Sequence, residues 1–140
     1  MQYRYFTRDK LKVSLLGFGC MRFPVPQNDL GIIDEVQASE MLKASIQMGL
    51  NYIDTAYPYH SSKSEAFVGK VLKDGLRDKI YLATKSPVWL MENYGDFMKY
   101  LDEQLVNLQT NFIDFYLLHA LNKKSYEKIL SLDVFKFIQE

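Results

Sequence analysis

The strongest constraint on the fold is that three short apolar segments each lead to an ionisable residue and are separated by segments with helical periodicity. The segment NYI at 51–53 is followed by Asp54, IYLATK at 80–85 ends on Lys85, and FIDFYLLH at 112–119 ends on His119. Apolar strands that alternate with amphipathic helices favour a parallel sheet with right-handed crossovers. Because parallel strands end at the same edge of a sheet, the three ionisable side chains are expected to meet there.

The segments between these strands carry the apolar spacing of helices. One helix is predicted over 35–48 with Gly49 ending it, a second from a cap at Ser62 or Ser64 to about 74, and a third over 94–109. The predicted inward positions are Met41, Leu42, Ser45 and Ile46, then Phe67, Val68, Val71 and Leu72, then Phe97, Leu101, Leu105 and Leu108. Near the end of the sequence a short helix is predicted at 126–131, and Asp133 is predicted to cap another.

The N-terminal segments 3–7 and 12–15 alternate in polarity, which predicts a β-hairpin. Residues 15–19 are predicted to form the first strand of the parallel sheet, and residues 22–34 a loop without regular structure. Gly17 and Gly19 allow two interpretations: they only permit a tight turn after the strand, or they let a cofactor lie against Cys20 and Met21.

Tyr59 lies in a proline-containing loop five residues after Asp54. Taken singly, each candidate has an ordinary structural role: Asp54 as a turn former, Tyr59 as a packing residue, Lys85 reaching for water, and His119 satisfied in a core. Their convergence at the carboxyl edge of a parallel sheet favours a functional site, because barrels of alternating strands and helices place their chemistry there. Asp54, Tyr59, Lys85 and His119 are called the tetrad below.

The motifs LLGFGCMRFP at 15–24, GLNYIDTAYPYH at 49–60, IYLATK at 80–85 and FYLLHA at 115–120 resemble, in order and spacing, those of the aldo-keto reductase family, and the start of the chain resembles its bacterial and archaeal members. The resemblance implies reduction of an aldehyde or ketone by hydride from NADP(H). It makes Tyr59 the general acid, Lys85 the cation that stabilises the deprotonated hydroxyl, and Asp54 the partner of Lys85. His119 would donate a hydrogen bond to the carbonyl oxygen.

The resemblance also implies where ligands bind. Gly19, Cys20, Met21 and Asp54 would lie at the nicotinamide end of the cofactor, and Met21, Trp89 and His119 would line the pocket of a small carbonyl substrate. Trp89 could equally anchor a surface loop. The sequence has no G-x-G-x-x-G segment after a strand, which argues against a Rossmann-type cofactor site. The family binds the adenosine and 2′-phosphate with later strands and loops, so cofactor affinity is expected to be weak.

The predicted fold is α/β, the N-terminal half, about (βα)4, of a TIM (β/α)8 barrel with a β-hairpin at its base. A whole barrel typically needs about 250 residues, so the 140 residues are expected to form a single domain that breaks off in the fourth helix of a longer protein. An alternative is a catalytically silent half-barrel that self-associates, since its open strand edges invite a homodimer.

Charge and cysteine content exclude several classes of function. Lys and Arg number 17, as do Asp and Glu, so no net field attracts nucleic acid or a membrane. The single cysteine, Cys20, and the lack of a long apolar run predict a soluble protein of the reducing cytoplasm. A hydrolase that binds metal through Asp54, His60 and His119 is a weaker alternative, and no metal is expected because the sequence has no closely spaced histidine pair.

Overall fold

The computed structural model of the chain describes residues 1–6, 10–26, 29, 31–73 and 75–140. A β-hairpin comes first, in which β1 (Tyr3–Phe6) pairs antiparallel with β2 (Leu11–Ser14). The hairpin is attached to the rest of the fold because the hydroxyl of Tyr3 donates to the main-chain oxygen of Gly49 at 2.8 Å. The predicted hairpin is confirmed, and Thr7, which the sequence pattern places in it, lies outside the described residues.

A parallel sheet of four strands follows the hairpin. It consists of β3 (Phe18–Gly19), β4 (Tyr52–Asp54), β5 (Tyr81–Ser86) and β6 (Phe115–Leu118), which lie side by side in chain order. A doubly wound sheet reverses its strand order at a switch point, whereas a barrel adds each strand beside the last. The observed order is therefore that of successive barrel units, and the three apolar segments are confirmed as parallel strands.

Two strands are shorter than the sequence predicts. Of the strand predicted over 15–19, only the last two residues form β3. The main-chain nitrogen of Leu15 instead donates to the main-chain oxygen of Gln2 at 2.8 Å and so extends the hairpin. The predicted strand over 112–119 begins at Phe115. Just before it, the carboxylate of Asp114 accepts a hydrogen bond from the main-chain nitrogen of Leu82 at 2.8 Å, so a side chain contributes to the pairing there.

Helices connect the strands at the predicted places. They are α1 (Glu35–Gln47), α2 (Ser64–Leu72), α3 (Gly95–Asn107), α4 (Lys123–Ser131) and α5 (Val134–Gln139). The side chain of Asp34 caps α1 by accepting from the main-chain nitrogen of Gln37, and Gly49, just past the end of α1, adopts a φ of 91°. This left-handed conformation is the one that commonly ends a helix and that glycine adopts without strain.

The predicted cap of α2 is wrong. Ser64 is the first helical residue, Lys63 occupies the cap position without a side-chain bond, and Ser62 has a left-handed φ of 64°. The hydroxyl of Ser64 instead pairs with that of Thr55 at 2.9 Å, which ties the start of α2 to the end of β4. Asp133 does precede α5, but no side-chain bond from it caps that helix.

The buried faces of the helices differ from the predicted ones at a few positions. In α2 all four predicted residues are buried, whereas in α1 Met41 is 47% exposed and Ala38 is buried instead. In α3 Leu101 and Leu105 are half-buried, and the fully buried position between them is Gln104. The core under α1 and α2 includes Cys20, Leu42, Ile53, Leu72 and Leu82, and a second cluster under α3 to α5 contains Val88, Met91, Phe97, Ile129 and Val134.

Helices α2 and α3 touch backbone to backbone at Gly69. A Cβ atom at this position would lie 2.5 Å from the carbonyl carbon of Leu108 and 2.7 Å from the main-chain oxygen of Asn107. Only glycine permits so close an approach of two main chains. One turn earlier on both helices, Glu65 and Gln104 face each other, so this contact also sets the distance between those two side chains.

Candidate active site

Lys85 is the centre of the tetrad. Its ammonium Nζ donates to Oδ1 of Asp54 at 2.7 Å, to the main-chain oxygen of Thr55 at 2.7 Å, and to the hydroxyl oxygen of Tyr59 at 3.2 Å. Asp54 pairs with Ala83 in the register of β4 and β5, so Lys85, two residues further on, points to the same face of the sheet. All three ammonium protons have acceptors, so the direction of the Lys85 head group is fixed.

His119 lies immediately after β6 and completes the tetrad. Its ring is edge-on to Tyr59, with 6.0 Å between ring centroids, and edge-on to Trp89, with 5.2 Å. Burial lowers the pKa of His119 below its ordinary value of 6.5, and the nearby Lys85 ammonium lowers it further, so the imidazole is neutral at pH 7. Its Nδ1 is buried and has no hydrogen-bond partner among the described residues.

A cavity of about 560 Å³ opens beside Tyr59 and His119. Its remaining lining is Met21, Arg22, Phe23, Pro58, His60 and Ser61. The volume lies in the range of small-molecule sites, and two of its wall residues are tetrad members. Of the predicted substrate-pocket residues, Met21 and His119 therefore line this cavity, while Trp89 is 43% exposed and reaches the site through its contact with the His119 ring.

The four residues predicted to face a cofactor are placed differently from one another. Gly19 pairs with Asp54 at the end of β3, and no atom lies within 4 Å of where its Cβ would be, so its face is open to a ligand. At Gly17, by contrast, an added Cβ atom would lie only 3.1 Å from a ring carbon of Tyr52. The side chain of Cys20 is fully buried, and burial raises the pKa of its thiol, so it can offer a ligand only its main chain. Met21 is exposed.

An unusual turn holds Tyr59 in place. His60, Ser61 and Ser62, which follow it, have left-handed φ values of 50°, 53° and 64°. Such a conformation costs roughly 1–2 kcal/mol per residue outside glycine and concentrates at functional sites. The imidazole Nε2 of His60 accepts a hydrogen bond from the main-chain nitrogen of Phe23 at 3.2 Å, which joins the Tyr59 turn to another residue that lines the cavity.

A buried polar network behind the tetrad was not predicted from the sequence. Its members are Glu65, Thr84, Gln104 and Tyr116. The sequence does carry one signal for it: Gln104 continues the spacing of Phe97, Leu101 and Leu108 on the inner face of α3, where the predicted stripe used Leu105. A glutamine on an apolar stripe indicates a buried hydrogen-bond partner.

No group of three or more His, Cys, Asp or Glu side chains in the described ranges is arranged to hold a metal ion. Within the same part of the chain, none of the helices has the length and apolar character needed to cross a bilayer.

The chain is similar in sequence and in structure to known proteins of one family. The model of the Aldo/keto reductase family matches residues 15–140. The chain is 31% identical over 127 residues to the aldo-keto reductase YhdN of Bacillus subtilis, a match that covers 85% of this chain and 38% of YhdN. The holo form of aldo-keto reductase AKR11C1 from Bacillus halodurans superposes with a TM-score of 0.71 and 30% identity, over 94% of this chain and 47% of that one.

A third relative was solved with its cofactor. An aldo-keto reductase from Klebsiella pneumoniae in complex with NADPH has a TM-score of 0.70 and 26% identity over 94% of this chain and 46% of its own. The present chain thus spans about two fifths of YhdN and just under half of these solved structures. The superpositions confirm the predicted fold class, since the parallel sheet and its helices form part of a TIM-type α/β barrel.

Proposed function

The chain belongs to the aldo/keto reductase family, and on that premise we propose that its tetrad reduces the carbonyl group of an aldehyde or ketone with NADP(H) as hydride donor. The observation that carries the proposal is the ammonium of Lys85, which bridges Asp54 and the hydroxyl of Tyr59 at one edge of the cavity. Hydride addition to a carbonyl leaves negative charge on oxygen, and the reaction therefore needs a proton donor at that oxygen.

Tyr59 is the proton donor in this proposal. Its hydroxyl oxygen lies 3.2 Å from the Lys85 ammonium, and a positive charge at that distance stabilises the tyrosinate that remains after proton transfer. Asp54 accepts a hydrogen bond from the same ammonium and thereby keeps it directed at the tyrosine. The proton moves from the Tyr59 hydroxyl to the developing alkoxide, and Lys85 stabilises the charge left behind.

His119 orients the substrate carbonyl. A neutral imidazole carries one N–H, and the hydrogen bonds open to each ring nitrogen decide which of the two holds it. Buried N–H groups without a partner are rarer than buried acceptors without one, so the unpartnered Nδ1 is assigned as the bare nitrogen and Nε2 as the donor. In this tautomer the Nε2–H can donate to the substrate oxygen beside Tyr59 and share its negative charge.

The described residues fit the nicotinamide end of NADP(H). The open face of Gly19, the exposed side chain of Met21 and the carboxylate of Asp54 are close together at the ends of β3 and β4, beside the proton donor. When bound, the cofactor supplies the hydride. These three residues would hold the reactive ring near the tetrad.

Substituting two neighbouring tyrosines tests the proposal. Tyr59→Phe removes the proposed proton donor and is expected to lower kcat by about 100-fold or more, with little change in KM. Tyr57→Phe is the matched control, because its hydroxyl binds Glu103 at 3.1 Å, outside the tetrad, and its loss should leave kcat within about 2-fold. Equal losses in both variants, or none in Tyr59→Phe, would contradict the assignment.

A second candidate function is self-association of the sheet. Within the described residues, β3 and β6 form the sheet's two edges, and Leu117 of β6 is 41% exposed beside the exposed side chains of Phe6 and Leu15. Unpaired edges and apolar patches favour association with a second copy. A homodimer built on this surface would be dissociated by Leu117→Lys in sedimentation-velocity experiments, whereas a species that stays monomeric at all concentrations would exclude it.

A further inference from the structure

A buried carboxylate lies outside the tetrad and has no role in the proposed reaction. Glu65, in the first turn of α2, is 1% exposed. Among the described residues no cation forms a salt bridge with it, and its carboxylate oxygen Oε1 accepts from the hydroxyl of Thr84 at 2.6 Å and from the amide of Gln104. Burying a carboxylate without a counter-ion costs several kcal/mol, so these neutral donors must compensate for lost hydration.

Gln104 connects this carboxylate to Lys85. It is fully buried, and its Nε2 donates not only to Glu65 but also towards Oγ1 of Thr84 at 3.1 Å and the main-chain oxygen of Lys85 at 3.2 Å. Its Oε1 accepts from the hydroxyl of Tyr116 at 2.8 Å. The two amide protons are thus shared among three oxygens, and the amide can turn only if several bonds break together.

The network lies on the opposite face of the sheet from the tetrad. Thr84 and Tyr116 are direct partners in the register of β5 and β6, so their side chains share one face. Lys85 follows Thr84, and its side chain points to the other face because strands alternate. Gln104 therefore contacts the main chain of Lys85 from the helix side, while the ammonium of the same residue reaches Asp54 on the cavity side.

We propose that Glu65, acting through Gln104, is a positioning residue that fixes the main chain of Lys85 so that its ammonium stays within reach of Asp54 and Tyr59. This inference rests on the proposed function of the tetrad. The 3.2 Å bond from Lys85 to Tyr59 is already at the long end of the hydrogen-bonding range, so a shift of the β5 backbone by about 1 Å breaks it. Misplacement of that size can lower a rate about 100-fold.

The hydrogen bonds that Glu65 accepts make the link directional. Burial raises the pKa of Glu65, and the hydrogen bonds from Thr84, Gln104 and Asn107 act in the opposite direction. Oε1 of Glu65 accepts from both Thr84 and Gln104, so it orients the Gln104 amide with its NH2 group toward Glu65 and toward the Lys85 oxygen. Glu65→Gln places a second NH2 group in the network, next to that of Gln104. The amide of Gln104 can then turn its oxygen toward position 65, and in that orientation its NH2 group no longer donates to the Lys85 main-chain oxygen.

Two variants separate positioning from general stabilisation. Glu65→Gln removes the carboxylate, and Glu65→Gln with Gln104→Glu returns one carboxylate to the network. The double variant can restore the bond between positions 65 and 104 and the bond from Tyr116, but a carboxylate at 104 cannot donate to the Lys85 oxygen. A purely structural role therefore predicts recovery of all properties, whereas positioning predicts recovery of stability without recovery of Lys85.

The first readout needs neither cofactor nor substrate. Lys85 is acetylated with acetic anhydride under native conditions, and its labelling rate is measured by mass spectrometry relative to exposed Lys70. Positioning predicts that this ratio rises by about 3-fold or more in both variants, because a displaced ammonium loses its three acceptors. A ratio equal to that of the unsubstituted protein in either variant would overturn the inference.

The second readout is steady-state reduction of an aldehyde by NADPH, where positioning predicts a fall in kcat of about 10- to 100-fold with KM within about 2-fold for both variants. If the unsubstituted protein is inactive while the labelling ratio still rises, the proposed function fails and the positioning of Lys85 stands. Should Glu65→Gln not fold, Tyr116→Phe replaces it: losing the hydroxyl that holds Gln104 Oε1 should raise the ratio by about 2-fold. An unchanged ratio there refutes the inference.

Discussion

Replacing Gly69 with alanine is expected to destabilise the protein, although helix propensity alone predicts the opposite. In an isolated helix the change from glycine to alanine stabilises by about 1 kcal/mol. In this protein the added Cβ would lie 2.5 Å from the carbonyl carbon of Leu108 and 2.6 Å from its oxygen. Carbon atoms pack at about 3.5 Å or more, so α2 and α3 must separate by roughly 1 Å.

The magnitude follows from these two opposing effects. Overpacking a tight contact costs about 1–3 kcal/mol, and the upper end applies because the obstructing atoms belong to the main chain and cannot rotate away. Subtracting the gain of about 1 kcal/mol in propensity leaves a net loss of about 2 kcal/mol. The separation also weakens the bond between Glu65 and Gln104, one turn away on the same interface.

Urea unfolding followed by circular dichroism measures the effect. Gly95→Ala is the control: Gly95 is exposed at the start of α3, and its added Cβ meets only a side-chain oxygen of Asn93 at 3.2 Å, which can move. That variant should be as stable as the unsubstituted protein within about 0.5 kcal/mol. A Gly69→Ala protein that equals or exceeds the original stability would refute the close contact between the helices.

Three further predictions concern charged groups. Arg77→Met should lower the free energy of unfolding in urea by about 2 kcal/mol, because Arg77 pairs with Asp114 at 2.8 Å and both side chains are under 20% exposed. Lys70→Met breaks an ion pair at the surface and should lower it by less than about 0.5 kcal/mol. The folded state lowers the pKa of His119, so the contribution of this residue to stability is complete above the unfolded pKa of about 6.5 and declines as the pH falls below that value. Urea unfolding between pH 7.5 and 5 measures the decline. The stability of His119→Gln should fall less over this range than that of the unsubstituted protein. Lys85→Met should lower kcat by about 100-fold or more in steady-state assays, since no other described cation contacts Tyr59.

The sequence predicted that three of the four tetrad residues lie together because they sit where strands end. Asp54, Lys85 and His119 follow apolar segments that form parallel strands, and parallel strands bring their carboxyl ends together whatever their exact length. Errors of one to three residues in the strand boundaries, such as the late start of β6, therefore did not disturb the predicted cluster.

What the sequence could not predict depends on contacts between distant segments. Ser64 matches the residue type of a helix cap, but its hydroxyl bonds Thr55, nine positions away, and the cap position passes to Lys63. Gln104 is buried because three elements bring polar partners to it, and helical spacing gives its place on the inner face of α3 but not those partners. Propensity and periodicity describe single elements, and tertiary contacts overrule them at such positions.

In the proposed reaction, a hydride moves from a nicotinamide to a carbonyl carbon and a proton moves from Tyr59 to the carbonyl oxygen. The direct measurement is incubation of the protein with an aldehyde and NADPH that carries deuterium at both C4 positions, followed by mass spectrometry of the alcohol. The proposed reaction should give alcohol with one deuterium on the former carbonyl carbon, with a yield at least about 100-fold lower for Tyr59→Phe. A folded protein that forms no deuterated alcohol above the protein-free control, or equal yields from both proteins, would contradict it.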